Sequence, residues 1–327
     1  MSQKPRFFTG ITATGTLTLG HYLGVIKHIL SLQDEYEVVI MVADLHALTI
    51  PMPDFDYQGK VHEIVALLYS CGLKEDCKIF VQSQIKEHLE LSWILAPLTT
   101  VSELNNMIQY KEKKKSDETG NLALLSYPVL MAADIFLYDA DLVIVGQDQE
   151  QHLELTKSIV RKINNFYQEK LLKLPKLTIP NIGAKIMGLQ NPNGKMSKSS
   201  KSGKDYIALL DSPEIISQKI SLAKTDSENE IYYQLEKKPG ISNLLVIYSL
   251  LQNRNLKDIE KEFFSFDYQQ FKKKLIETIN SELKPIQEKF NYYQKIVGKL
   301  LSENKTYLQE IAKNKINLIK KKMKFVC

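Results

Sequence analysis

The sequence has few cysteines, no long apolar run and no leader-like segment. Its three cysteines, Cys71, Cys77 and Cys327, have neither a zinc-ligand spacing nor an even count, which disfavours a zinc site and a disulfide framework. No stretch is apolar for long enough to span a bilayer, and the N-terminus lacks the hydrophobic region of a signal peptide. We therefore expect a cytoplasmic protein without a membrane partner, in which Cys71 is an ordinary core residue.

The common glycine-rich nucleotide motifs are also absent. The segment GITATGTLTLGHYLG (10–24) does not contain GxGxxG, which disfavours a dinucleotide site of the usual kind. The segment GLQNPNGKM (188–196) approaches the Walker motif, but it has one residue too many and a methionine where a hydroxyl should bind Mg²⁺. A Walker-type NTPase is therefore disfavoured.

What the sequence does contain is an alternation of short apolar runs and helical periodicity. The segments 6–11, 37–43, 78–82 and 141–146 read as buried strands, and 19–34, 58–71, 88–109 and 127–138 as helices. After about residue 212 only helical patterns remain, at 212–222, 240–252, 255–264 and 267–323. The pattern predicts an α/β fold: a Rossmann-like parallel sheet in a catalytic domain, followed by a C-terminal helical domain.

We place the domain boundaries where the composition changes. A chain of 327 residues more often forms two domains than one. The prediction is a catalytic domain over 1–190, completed by a helix returning from 290–327, then a mobile loop over 191–204 and a mainly helical domain over 205–327.

Positive charge is concentrated in three places, although the net charge is only +5. The segment YKEKKK (110–115) and the last fifteen residues are lysine-rich, as solvated helix faces often are, and both also permit a polyanionic partner such as RNA. The third place is GKMSKSSKSGK (194–204), whose lysines, serines and glycines by themselves favour a solvated linker over a loop that closes over phosphates.

Further residues point to a ligand site where the first strand meets its helix. Gly20 would let a base or phosphate approach the backbone, and His21 could donate to a phosphate oxygen at the helix N-terminus. Taken alone, this histidine is better explained as a surface residue beside a tight turn.

The motifs considered together resemble a known family. TLGHYLG (18–24) and KMSKS (195–199) correspond to the two signatures of class I aminoacyl-tRNA synthetases. Between and after them, VADLHALT (42–49), SYPVLMAADIFLYDADLVIVGQDQEQHLELT (126–156), GAKIMGL (183–189) and KPGISNLL (238–245) look like the tryptophanyl-tRNA synthetases over nearly the whole chain. The resemblance implies that the lysine–serine loop closes on the triphosphate of ATP.

The reaction implied by the resemblance has two steps, activation of L-tryptophan by ATP with Mg²⁺ and transfer to tRNA(Trp), in a homodimer. No protein-bound metal is expected, because Mg²⁺ arrives with ATP. The implied catalytic residues are Lys195, Ser197, Lys198, Ser199 and His21. The implied ATP-binding residues are Thr12, Ala13, Thr14, Gly20, His21, Gly146, Gln147, Asp148, Ile186, Lys195, Met196, Ser197, Lys198 and Ser199.

The segment YPVLMAAD supplies the candidate tryptophan pocket. Tyr127, Met131 and Asp134 fall at i, i+4 and i+7, so one helical face presents all three. Met131 offers a soft apolar wall for an indole, and Asp134 an acceptor for the indole N–H. By the resemblance, Phe8, His46 and Gln149 are further pocket residues.

Two departures from the family pattern concern individual contacts. The family's turn commonly reads Gln-Pro-Ser where this chain has Thr12-Ala13-Thr14, so the shorter Thr12 would need a bridging water. Thr18 replaces the first histidine of the signature, which leaves His21 as the only imidazole there.

Two alternative functions remain open at this point. The tyrosine-specific sister enzyme shares the fold and both signatures, although its equivalent of VGQDQEQHLEL (145–155) usually reads differently. The other alternative is a synthetase-like protein that binds nucleotide or RNA without activating an amino acid. The single tryptophan, Trp93 in LSWILAPL, is expected to be a core residue.

Overall fold

The computed structural model describes residues 4–116, 120–146, 149–178, 186–196 and 203–325, except for the side chains of 113–116 and 178. Within these ranges five parallel strands form one sheet in the order β3-β2-β1-β4-β5. The strands are β1 (Arg6–Thr12), β2 (Glu37–Ala43), β3 (Lys78–Val81), β4 (Leu142–Ile144) and β5 (Lys176–Thr178). The predicted Rossmann-like α/β class is confirmed. Four of the strands were predicted, but β5 has only three residues and was not.

The strand order creates a crevice beside β1. The chain runs from β1 outward to β2 and β3, then crosses back to place β4 on the other side of β1. In parallel α/β sheets, ligands bind outside the carboxyl ends of the strands at such a switch point. The ladder between β1 and β4 covers only two pairs, Phe7 with Leu142 and Phe8 with Val143. The strand ends therefore part beyond Phe8.

Successive side chains of a strand point to opposite faces of the sheet, and here both faces are covered by helices. Phe7 and Val38 belong to one apolar cluster, and their neighbours Phe8 and Val39 to another. Each cluster continues into the helices on its own face, so the strands are apolar throughout rather than alternating.

Nine helices belong to the first 166 residues, counted over the described ranges. They are α1 (Leu19–His21), α2 (Lys27–Leu32), α3 (Asp44–Ala47), α4 (Tyr57–Ser70), α5 (Glu87–Leu95), α6 (Val101–Asn105), α7 (Ile108–Ser116), α8 (Leu122–Phe136) and α9 (Glu150–Phe166). A π-helical turn, Tyr22–Ile26, joins α1 to α2. Helix α9 was assigned to no element from the sequence.

The single helix predicted over 88–109 is wrong. Helix α5 ends in a 3₁₀ turn, Ala96–Leu98, that contains Pro97, and Thr99 is extended. Proline lacks the N–H that a continuing helix needs. The capping box of Thr100 and Glu103 then starts α6 afresh.

Four helices complete the described chain: α10 (Pro213–Ser221), α11 (Pro239–Gln252), α12 (Leu256–Glu262) and α13 (Tyr268–Lys322). Helix α13 has 55 residues and is about 80 Å long. Its early part packs against α10 and α11, while Leu308, Ala312 and Ile316 are buried in the cluster that includes Phe80 of β3. The helix thus returns to the sheet, although the exact domain boundaries remain a prediction.

Trp93 is not a core residue: 80% of it is exposed. The buried face of α5 carries His88, Leu91 and Leu95, which follow helical spacing, and Trp93 lies on the opposite side. Among the described helices, none is both long and apolar enough to cross a membrane.

Candidate active site

A cleft of about 1250 Å³ opens at the carboxyl ends of β1 and β4. At its base, the Thr9 hydroxyl donates to the Ile144 carbonyl at 3.1 Å and bridges the two strands where their ladder has ended. Fourteen of the predicted site residues line this cleft: Phe8, Thr12, Thr14, Gly20, His21, His46, Tyr127, Met131, Asp134, Gly146, Gln149, Ile186, Lys195 and Met196. The fold therefore brings together residues from six separated segments of the sequence.

Of the remaining predicted residues only Ala13 is described, and it does not line the cleft. Ala13 is fully buried in the core, and its backbone N–H donates to the Ala43 carbonyl at 3.4 Å, so its side chain is not available to ATP. Gln147, Asp148, Ser197, Lys198 and Ser199 lie outside the described residues. Their assigned roles stay predictions.

Thr18, the replacement for the first signature histidine, holds the ring of His21. Its backbone N–H donates to His21 Nδ1 at 3.1 Å, and its hydroxyl lies 2.9 Å from the same nitrogen. Because Nδ1 accepts a hydrogen bond, a neutral His21 carries its proton on Nε2. Thr18 is also the N-cap of α1, so this departure from the family pattern fixes the orientation of the remaining imidazole.

The segment 186–196 forms a short hairpin that brings the first part of the KMSKS signature over the cleft. The Gly188 N–H donates to the Gly194 carbonyl at 2.8 Å, and the Met196 N–H donates to the Ile186 carbonyl at 2.9 Å. Met196 packs on Gly20, where an added Cβ would lie 3.4 Å from its sulfur. An added Cβ would therefore be in ordinary van der Waals contact, and the approach of the hairpin to α1 does not itself require a glycine.

Two buried polar residues, which the sequence analysis missed, hold this hairpin. The Asp205 carboxylate accepts the backbone N–H groups of Gln190 at 2.8 Å and Asn191 at 3.0 Å. The side-chain amide of Asn243 accepts the N–H of Met187 at 2.8 Å and donates to its carbonyl at 2.9 Å. Asn243 lies within KPGISNLL, so the block was noticed, but its contact with the loop was not.

At the other end of the cleft, Tyr127, Met131 and Asp134 of α8 all line its wall, as their helical spacing predicted. The Tyr127 hydroxyl contacts Gln109 Oε1 at 3.0 Å and His152 Nε2 at 2.6 Å. Asp134 is 1% exposed, so this carboxylate is almost completely removed from water.

Asp134 is nevertheless ionised. Burial by itself would raise its pKa, but hydrogen bonds from His46 and His88 outweigh that effect and hold the pKa at about 2. Gln82 adds a third donor, at 2.9 and 3.0 Å from the two carboxylate oxygens. Neither Gln82 nor His88 was identified from the sequence, although Gln82 directly follows β3, where site residues are expected.

Comparison with known proteins shows which family the chain belongs to. The family described as "tRNA synthetases class I (W and Y)" matches residues 1–284. The tryptophan–tRNA ligase of Bacillus subtilis is 39% identical over 321 residues, which cover 98% of this chain and 96% of the relative. The chain belongs to the tryptophanyl-tRNA synthetase family.

Solved structures of tryptophanyl-tRNA synthetases extend the similarity to three dimensions. The enzyme from Mycoplasma pneumoniae has a TM-score of 0.89 and 33% identity, with 98% of each chain covered. The enzyme from Campylobacter jejuni, solved with ADP and tryptophan, has a TM-score of 0.84 and 29% identity, covering 98% of this chain and 100% of that one. A tyrosyl-tRNA synthetase from Archaeoglobus fulgidus, at 18% identity and a TM-score of 0.65, shares only the fold.

Proposed function

We propose that the protein activates L-tryptophan with ATP and transfers the product to tRNA(Trp). The observation that carries this proposal is a single cleft with an ionised, buried Asp134 at one end and Lys195 and His21 at the other. One end suits a donor on an apolar ring, and the other suits phosphates. The Campylobacter jejuni relative, solved with ADP and tryptophan, supports the same pairing of ligands.

In the first step a carboxylate oxygen of tryptophan attacks the α-phosphorus of ATP, the bond to the bridging oxygen breaks, and pyrophosphate leaves. The substrate supplies the nucleophile, so the protein needs to align the carboxylate and stabilise charge on the leaving group. In the second step a hydroxyl of the 3′-terminal adenosine attacks the carbonyl carbon of the adenylate, and AMP leaves.

We assign the adenosine side of the cleft to Gly20, His21, Gly146 and Ile186, together with Gln147 and Asp148. The phosphates and the reacting carboxylate lie near Thr12 and Thr14. Lys195 is exposed at the cleft mouth, where an ammonium group can meet a triphosphate that arrives with Mg²⁺. Lys198, Ser197 and Ser199 follow directly in the sequence and complete the signature.

We assign the indole to the end of the cleft formed by Phe8, His46, Tyr127, Met131 and Asp134, with Gln149 beside it. An indole N–H can only donate, and an ionised carboxylate can only accept. Phenylalanine would bring no donor to Asp134, and a tyrosine hydroxyl would lie at a different depth. Selection of tryptophan follows from this complementarity.

The larger partners that we propose are a second copy of the chain and tRNA(Trp). Leu89 and Trp93, one turn apart on α5, are 54% and 80% exposed, which supports a homodimer surface there. The helical domain and the lysine-rich end of α13 are the candidate tRNA surface. The free buried thiols of Cys71 and Cys77 support a reducing, cytoplasmic setting.

Amino-acid-dependent exchange of pyrophosphate into ATP tests the proposal. We expect exchange with tryptophan, far less with tyrosine, and none without an amino acid. A preference for tyrosine would favour the sister enzyme, and absence of exchange with every amino acid would favour a non-catalytic nucleotide- or RNA-binding protein.

A further inference from the structure

A buried polar cluster lies behind Asp134, away from the cleft. Gln82 and His88 are both 0% exposed, and both donate to the Asp134 carboxylate. Resting on the proposed function, we propose that Gln82 and His88 are positioning residues for tryptophan selection: they hold Asp134 as an ionised, oriented acceptor for the indole N–H.

Gln82 fixes the plane of the carboxylate. Its Nε2 lies 2.9 Å from Oδ1 and 3.0 Å from Oδ2 of Asp134, so it is placed almost evenly between the two oxygens. The opposite amide orientation would set a carbonyl oxygen against a carboxylate and is excluded by repulsion. Among the described residues the Gln82 carbonyl oxygen has no hydrogen-bond partner, so in this cluster the amide serves as a donor to Asp134.

His88 supplies the second donor and is itself held from behind. Its Nδ1 lies 2.6 Å from Asp134 Oδ1, and its Nε2 lies 2.8 Å from the hydroxyl of Tyr138. Burial raises the pKa of Tyr138, so this hydroxyl keeps its proton and can donate to Nε2. A neutral His88 then carries its proton on Nδ1, facing the carboxylate.

Aromatic side chains pack around the His88 ring and connect it to the cleft. Phe80 stacks on His88 with 5.6 Å between ring centroids, and Tyr138 stacks on Phe8, also at 5.6 Å. Phe8 in turn lines the cleft. The cluster is therefore continuous with the wall of the proposed indole site.

One of the three donors to Asp134 is on the substrate side. A carboxylate has about four lone-pair sites; His46 contacts one oxygen, His88 the other, and Gln82 both. His46 differs from the other two because it lines the cleft, whereas Gln82 and His88 lie behind the carboxylate. Without donors behind it, burial raises the pKa of a carboxylate, and a carboxyl group that binds a proton is no longer a pure acceptor.

The experiment compares tryptophan with an isostere in which a benzothiophene sulfur replaces the indole N–H. For each enzyme, kcat/KM is measured for both amino acids by pyrophosphate exchange. The variants are Gln82→Met and His88→Leu, which remove a donor, and His88→Asn, whose amide N–H can take the place of Nδ1. The matched control is Tyr69→Phe, which removes a buried hydroxyl bonded to the Cys77 carbonyl at 3.1 Å, outside the cleft.

We expect Gln82→Met and His88→Leu each to reduce the preference for tryptophan over its isostere by ~10–100-fold, the range for loss of a charge-assisted hydrogen bond. The change should come mainly from a higher KM for tryptophan, and His88→Asn should recover most of it. Tyr69→Phe should leave the preference unchanged.

A variant that lowers kcat/KM equally for tryptophan and its isostere, and so keeps the wild-type preference, would show that the residue has a purely structural role. That result would overturn the inference. Gln82→Met is nearly isosteric and decides the question even if His88→Leu does not fold. Wild-type protein without tryptophan-dependent exchange would overturn the proposed function, and the inference with it. Wild-type activity combined with an unchanged preference in Gln82→Met overturns the inference alone.

Discussion

Asn243 connects the helical part of the chain to the hairpin that carries Lys195. In that hairpin Met187 lies opposite Lys195, and the hydrogen bonds on either side belong to their neighbours. The N–H and carbonyl of Met187 therefore point out of the hairpin. The Asn243 amide pairs with both, at 2.8 and 2.9 Å, and takes the place of a third strand.

Replacing Asn243 by leucine removes both partners while keeping a side chain of similar size. A buried backbone group without a partner costs about 1–3 kcal/mol, so two such groups give ~2–6 kcal/mol. Met187 is only half-buried, and water can reach part of it, which favours the lower end, about 2 kcal/mol. If the substitution removes that free energy from the stability of the hairpin in its position over the cleft, the KM for ATP should rise ~30-fold.

The assay is pyrophosphate exchange with ATP varied, alongside tryptophan binding by calorimetry and urea unfolding. Asn243→Leu should raise the KM for ATP and leave the Kd for tryptophan unchanged, because the hairpin lies at the phosphate end of the cleft. The matched control is Ser242→Ala, which removes the bond from the Gln234 N–H at 2.9 Å without touching the hairpin. An Asn243→Leu enzyme with wild-type KM for ATP would refute the reasoning.

Three further outcomes are expected. Lys195→Ala and Lys198→Ala should each slow adenylate formation ~10²–10³-fold with little change in tryptophan affinity, as measured by stopped flow. A wild-type rate would mean that this segment is a solvated linker without a role in adenylate formation. Substitution of Lys320, Lys321 and Lys322 by glutamine should weaken tRNA binding and flatten its dependence on salt concentration, while pyrophosphate exchange is kept. An unchanged salt dependence of tRNA binding would mean that these lysines serve only in ion pairs within the protein, such as the one from Lys320 to Glu90 at 2.9 Å. Burial raises the pKa of Cys71 to about 12 and that of Cys77 to about 11, so both should resist alkylation at pH 8, as checked by mass spectrometry before and after unfolding. The unfolded thiols ionise near the ordinary pKa of about 9, before the folded ones. The contribution of the two thiols to the free energy of unfolding is therefore fully present below pH 9 and is lost as the pH rises above 9. Rapid labelling of either thiol in the native protein would contradict the burial.

Much of the fold could be predicted from local patterns. Apolar runs of strand length predicted β1 to β4, and helical periodicity predicted the long α13, because burial on one or two faces leaves a regular trace in the sequence. The pattern was insufficient where the element was very short, as in β5, or where proline interrupted a periodic segment, as at Pro97. It also gave the wrong environment for Trp93, because residue type alone does not say which side of a helix meets the core.

The sequence by itself determined the family and the residues on one helical face, Tyr127, Met131 and Asp134, because spacing within a helix is a local property. Only the tertiary structure decided what surrounds them. Gln82 and His88 lie 52 and 46 residues from Asp134 in the chain, and Asn243 lies 56 from Met187. Such contacts depend on which strand ends and helices meet in space, and no local pattern encodes that. The acceptor that we propose for tryptophan and the anchor of the hairpin are therefore products of the assembled sheet and its helices.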